Sequence, residues 1–278
     1  MDSLFRNSRR KLSQGLLFWR EVGQGSNVIF LHGSWNEGSQ WVPVMESLSH
    51  DYHCLAPDLL GFGESEIPDI HYSVDVQVEC LAEFLLALKL ERVYLVGDTL
   101  GAWIAASYAL KYPERVLGLI LVSPEGVATS STDKRLKQMK TILQRSELAF
   151  ALLKLIRPIA KMFGWEIKVQ EEWRQRLIMD QYPTACELLF QRQLPEVHAE
   201  LLENRLAFLV VPVLILQGGK DTQEAIAMSN TYAQLIPGAK INTIAHAEQN
   251  LPHFCSSAVA EQIRDFIKSR KVSWAVFN

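Results

Sequence analysis

The stretch from Val93 to Tyr112, VYLVGDTLGAWIAASYALKY, constrains the fold more than any other part of the chain. The apolar run Val93–Val96 leads into Gly97-Asp98-Thr99-Leu100-Gly101, and a small-residue helical pattern follows at once, ending before Pro113. That order reads as strand, sharp turn, helix. Glycines at both ends let the turn be tight enough to hold its central side chain clear of the sheet, with the backbone N–H of the next residue pointing the same way. The central residue is Thr99, and the next is Leu100.

The rest of the chain supplies the partners such a unit requires. Leu16 to Glu21 and Asn27 to Leu31 are apolar runs divided by Gly23-Gln24-Gly25-Ser26, which predicts a hairpin leading into the first central strand. Further strands are expected at His53–Ala56, Val116–Val122, Val213–Gln217 and Lys240–Ala245, with helices between them and a closing helix over Ala258–Lys268. Strands alternating with helices predict right-handed crossovers and a mostly parallel sheet covered on both faces. The alternation stops after Ser123-Pro124-Glu125-Gly126. From Thr132 to Leu206 the pattern is helical, with breaks near Ser146, Pro158, Gly164, Pro183 and Pro195. The expected organisation is a first core segment, residues 1–126, a helical cap, 127–207, and a second core segment, 208–278.

The basic start (Arg6, Arg9, Arg10, Lys11) precedes only a brief apolar stretch and no small-residue cleavage pattern, so neither a secretory signal nor a transmembrane helix is expected. A net charge of −3 argues against a general nucleic-acid role. Cys54, Cys80, Cys186 and Cys255 are far apart and lack metal-ligand spacing, which predicts reduced thiols in a cytoplasmic protein.

Three motifs, in the order His32–Trp35, Asp58–Ser65 and Gly97–Gly101 along the chain, resemble the alpha/beta-hydrolase superfamily. The Gly97–Gly101 turn resembles its nucleophile elbow, which usually carries Ser and sometimes Asp or Cys where this chain has Thr99. His32-Gly33-Ser34-Trp35 resembles the family's HGxW segment, and Asp58-Leu59-Leu60-Gly61-Phe62-Gly63-Glu64-Ser65 resembles the DLxGxGxS segment of capped members. The resemblance implies an alpha/beta-hydrolase fold with an inserted helical cap. It also implies an oxyanion hole made by the N–H groups of Ser34 and Leu100. Leu214–Asp221 resembles the strand and turn that deliver the triad acid, which places Asp221 there. The base position departs from the pattern. Counting from Pro237-Gly238 puts Gln249 at the expected histidine, and counting back from Pro252-His253 puts Asn250 there. The remaining candidates are His246, three or four residues early, and His253, three late.

These residues support two readings. In one, the chain is a cofactor-independent hydrolase of esters or related acyl compounds. Thr99 attacks, His246 is a displaced base oriented by Asp221, and Trp35, Ser123, Glu125 and His253 line the substrate pocket. In the other, the chain keeps the fold and its pocket but has lost its triad, and binds a ligand or a partner. A further variant assigns general-base chemistry to Asp98 and His246 without a covalent intermediate. No nicotinamide, nucleotide or metal signature is present. Between Asp133 and Lys168, nine Lys or Arg residues face three acidic ones, among many apolar side chains. Such a cap either rests its apolar stripe on the core or meets an anionic membrane surface or a lipid-like substrate.

Overall fold

A computed structural model describes residues 4–130, 132–145 and 166–276. The chain divides into two compact units, residues 1–129 with 199–278, and residues 130–198.

The larger unit is built on one eight-stranded sheet. Its strands are β1 (Arg6–Lys11), β2 (Leu16–Val22), β3 (Ser26–Leu31), β4 (Tyr52–Pro57), β5 (Val93–Asp98), β6 (Val116–Val122), β7 (Val213–Gly218) and β8 (Lys240–Ile244). They lie in the order β1-β2-β4-β3-β5-β6-β7-β8. From β4 to β8 every pairing is parallel, whereas β1 and β2 join antiparallel. All six residues of β5 are buried, as a strand covered on both faces requires. The core on one face joins Val28, Phe30, Val96, Ile120 and Leu214 of the sheet to two helices. These are α1 (Val42–Leu48), through Val44, Met45 and Leu48, and the C-terminal helix Ser256–Val276, through Ala260, Ile263 and Ile267. Helix α2 (Val74–Ala87) starts at Ser73, whose hydroxyl accepts from the N–H of Val76, and α3 (Leu100–Lys111) is buried along almost its whole length.

The hairpin expected between Leu16–Glu21 and Asn27–Leu31 is not formed. β4 lies between those two strands, and the hairpin is made one step earlier, by β1 and β2 around the turn in which Leu12 donates to Gly15. The basic start is therefore a strand. Its side chains are mostly exposed, and Arg6, Arg9 and Lys11 pair with Glu21, Glu64 and Glu66. Charge on an outermost strand discourages further pairing, which is why its sequence carries no apolar signal.

The smaller unit is inserted between β6 and β7 and is helical where described. It contains α4 (Thr132–Gln144), α5 (Glu166–Gln181), the short α6 (Pro183–Cys186), a π-helical turn at Glu187–Gln191 and most of α7 (Leu194–Glu200). Arg176 of α5 donates to the carbonyls of Ile142 (3.2 Å) and Leu143 (2.7 Å), satisfying the open end of α4, and Arg145 pairs with Glu172. The expected breaks near Ser146, Pro158 and Gly164, and the greasy basic run between them, lie outside the described residues.

Candidate active site

The geometry begins with two glycines. A side chain on Gly97 would lie 2.4 Å from the backbone of Gly101, and one on Gly101 would lie 2.3 Å from the carbonyl oxygen of Leu31. Backbones can approach that closely only without Cβ atoms. Between them Thr99 adopts φ 46° and ψ −106°, a left-handed conformation rare for a β-branched residue. Its N–H donates to Val122, and its carbonyl accepts from Ala102, Trp103 and Glu125, so β5, α3 and the turn after β6 all fix it. Among the described residues the Thr99 hydroxyl has no hydrogen-bond partner, and the side chain is half-buried. The N–H groups of Leu100 and Ser34, both in buried residues, likewise have no acceptor among the described residues.

The loop after β3 is held from within. His32 Nδ1–H donates to the Gly33 carbonyl (2.9 Å), and Nε2 accepts from the N–H of Leu59 (2.9 Å). Burial lowers the His32 pKa to about 4 and keeps the ring neutral. Asp58, fully buried, accepts from Arg20 (2.8 Å) and from the N–H groups of Gly38 (2.7 Å) and Glu64 (2.8 Å). Ser65, part of the same motif, donates to the Asp58 carbonyl (2.7 Å) and accepts from the N–H of Phe18.

Asp98 is 4% exposed, and its Oδ2 accepts from Gln40 Nε2 (3.2 Å), while Gln40 Oε1 accepts from the N–H of Gly33 (3.3 Å). Desolvation by burial pushes the Asp98 carboxyl up to about 7, and the nearby charges of Glu125 and Asp221 add to this against the Gln40 donor. Ser34 Oγ donates to Glu125 Oε2 (3.3 Å), and the Tyr232 hydroxyl donates to the Glu125 carbonyl (2.6 Å). Trp35 is half-buried beside them in sequence. Gln40 and Tyr232 carry no motif.

Asp221 does not meet a histidine. Its carboxylate accepts from Ser123 Oγ (3.2 Å), Gln217 Nε2 (3.1 Å) and the N–H of Thr222 (2.7 Å), and Ser229 donates to Gln217 Oε1 behind it. Ser123 itself has φ 42°. His246 lies in the turn after β8, exposed, and makes no hydrogen bond among the described residues. The cause is the tightness of that turn. Gly219 donates to Ile244, Ala247 to Ile244 and Lys220 to Ala247, which draws the loop against the end of β7 and leaves His246 facing outward. His253, on the short helix Leu251–Phe254, is also exposed, its ring 4.8 Å from that of Phe254. Asn250 begins that helix with φ 56°, and its buried Oδ1 has no partner among the described residues, whereas Gln249 is exposed. The structure thus gathers Ser34, Asp98, Thr99, Leu100, Ser123, Glu125 and Asp221 at the ends of the parallel strands and leaves both histidines out of their hydrogen bonds.

The model of the alpha/beta hydrolase fold family matches residues 27–253, and the chain belongs to that family. A 2-hydroxy-6-oxo-2,4-heptadienoate hydrolase of Pseudomonas putida is 39% identical over 117 residues, 41% of this chain and 42% of that protein. The 1-acylglycerol-3-phosphate O-acyltransferase ABHD5 of Mus musculus is 39% identical over 115 residues, 40% of this chain and 33% of that protein. These matches span less than half the length of either relative. Among solved structures, a thermophilic esterase from Thermogutta terrifontis superposes with a TM-score of 0.73 at 21% identity, covering 95% of this chain and 99% of that one. Among the described residues no helix is long and apolar enough to cross a membrane, and no group of three or more His, Cys, Asp or Glu could hold a metal ion.

Proposed function

We propose that this chain is a cofactor-independent hydrolase of small or medium esters or related acyl compounds, with Thr99 as the attacking group. The observation that carries this reading is the pair of buried N–H groups, of Ser34 and Leu100, without acceptors among the described residues, beside the half-buried side chain of a residue with strained backbone, Thr99. Donors of that kind stabilise the oxyanion that forms when a hydroxyl adds to a carbonyl. Backbone strain at Thr99 supports the same reading, because it persists only where surrounding bonds impose it. The relatives' names, a hydrolase of an oxo acid and an O-acyltransferase, favour a carbonyl substrate. The basic residues between Asp133 and Lys168 favour an acyl compound that carries negative charge or comes from an anionic lipid surface.

The test is turnover of p-nitrophenyl esters from acetate to octanoate by the purified chain and by Thr99→Ala. Loss of kcat/KM on the order of 10³ or more is expected for the variant. Activity that survives the substitution rules out Thr99 as nucleophile.

A second reading, a ligand-binding member of the fold without turnover, draws on the exposed, unbonded His246 and the occupied Asp221. It predicts no hydrolysis by the native chain across the same panel. Hydrolysis would be gained when Thr99→Ser is combined with Gln249→His or Asn250→His.

A further inference from the structure

On the acyl-transfer reading above, we infer that Asp98 is the catalytic residue that takes the proton from Thr99, a task the fold commonly leaves to a histidine. The two side chains are neighbours in sequence and converge in space. Gly33 has no side chain, and the point where its Cβ would stand is 2.4 Å from Thr99 Oγ1 and 2.7 Å from Asp98 Oδ2. The hydroxyl and the carboxyl therefore border the same small space, which Gly33 leaves open. They are not hydrogen-bonded at rest, as is common in a site without substrate, where such contacts close only when the reacting group arrives.

Asp98 is also held for the role. Gln40 grips Oδ2 with its amide nitrogen while its oxygen takes the Gly33 N–H, so one side chain spaces the carboxyl from the loop that carries the Ser34 N–H. The other groups nearby that could accept a proton are engaged, and the histidines of the last loop are exposed. Both ring nitrogens of His32 are bonded, Asp221 is taken by Ser123, Gln217 and Thr222, and Glu125 accepts from Ser34. His246 and His253 are exposed and bonded to neither Thr99 nor Asp221.

Beside burial, three neighbours act on the proton affinity of this carboxyl: the Gln40 amide lowers it, and Glu125 after β6 and Asp221 after β7 raise it; His32 after β3 is neutral. With burial as the largest cause, they hold it at about 7. An ordinary carboxylate, near 4, is a poor acceptor for a hydroxyl proton, whereas one near 7 is about as basic as imidazole.

In the forward step Thr99 Oγ1 bonds to the substrate carbonyl carbon as its proton passes to Asp98. The carbonyl π pair moves to oxygen beside the Ser34 and Leu100 N–H groups. Collapse breaks the bond to the leaving oxygen, which takes the proton from Asp98 and departs as an alcohol. Water then repeats the sequence on the acyl-Thr99 ester, giving its proton to Asp98 and releasing the acid, and the proton returns to Thr99.

The experiment is a pH profile of kcat/KM from pH 5 to 9 with p-nitrophenyl butyrate, for the native chain, Asp98→Asn, Thr99→Ala and the double variant His246→Ala/His253→Ala. The native profile is expected to rise through an apparent pKa near 7. Asp98→Asn is expected to lose on the order of 10² or more and to flatten that rise. The double histidine variant is expected to keep it, and this arm decides the matter even if Asp98→Asn fails to fold. Thr99-dependent turnover whose rise disappears with the histidines, or that persists in Asp98→Asn within threefold, overturns the role of Asp98 and leaves the acyl-transfer reading standing. Turnover that is absent, or indifferent to Thr99→Ala, overturns both.

Discussion

At the scale of single residues, Thr99 and Asp98 both sit in states that cost the fold stability. A β-branched residue at φ 46° carries strain of about 1–3 kcal/mol, which glycine would relieve at some cost in chain entropy. Thr99→Gly is therefore expected to raise the unfolding free energy by about 1 kcal/mol in urea titration while abolishing turnover. For Asp98, the folded chain holds its carboxyl proton up to about pH 7, whereas the unfolded chain releases it near the ordinary value. Stability from this group thus falls as pH rises across that interval and levels off above it. Asp98→Asn should gain on the native chain progressively from pH 4 to 7, by a few kcal/mol at the upper end, in denaturation curves taken across the range. A constant difference between the two proteins would contradict it. Glycines flanking an apolar strand and a helix made the conformation of Thr99 legible in the sequence. The surroundings of Asp98 were not, because Gln40, Glu125 and Asp221, which act on its carboxyl, come from distant parts of the sequence.

At the scale of elements, Asp58 joins three pieces of backbone that flank the loop after β3. It binds Arg20 of β2, the turn at Gly38 and the turn at Glu64. Asp58→Ala would leave a guanidinium and two N–H groups without their acceptor in a buried place, at a cost of about 3–5 kcal/mol. A chemical-denaturation midpoint that barely moves would show the cluster to be dispensable. The DLxGxGxS resemblance located this cluster, in which Gly61 and Gly63 take positive φ and the Ser65 hydroxyl donates to the Asp58 carbonyl. Strand periodicity gave no comparable help at the edge of the sheet. β1 is charged throughout, and β2 and β3 lie near each other in sequence yet are separated in space by β4. Which loop a late histidine joins was equally hidden. Residues 244–250 offer His246, Gln249 and Asn250 close together, and the backbone bonds of Gly219, Lys220 and Ala247 draw in the turn that carries His246.

At the scale of the whole molecule, the parallel sheet with its inserted helical region follows from alternating strand and helix patterns, and the family assignment rests on that same span. Two buried groups are expected to shape its response to acid in opposite directions. His32, held neutral with a pKa of about 4, supports the fold above the ordinary histidine value and loses that support as pH falls through the interval down to 4. Asp98 favours the fold more as pH falls through much of the same range. Their slopes nearly cancel between about pH 4 and 6.5, so removing the Asp98 carboxyl should expose a rise in stability with pH that the native chain masks. Calorimetric unfolding of Asp98→Asn at pH 4.5, 5.5 and 6.5 reads that rise directly.

The break between β6, ending at Val122, and β7, starting at Val213, sets how freely the chain can vary in length. These strands are partners in the sheet, so everything between them is one closed loop. Closing a flexible loop becomes harder only with the logarithm of its length, about 0.6 kcal/mol for each doubling. The inserted unit, residues 130–198, can therefore lengthen, shorten or be rebuilt at little loop-closure cost to the sheet that carries Thr99, provided the turn at Ser123 and Glu125 is kept. Evolution, or an engineer, can alter what is inserted there while the elbow itself stays as it is.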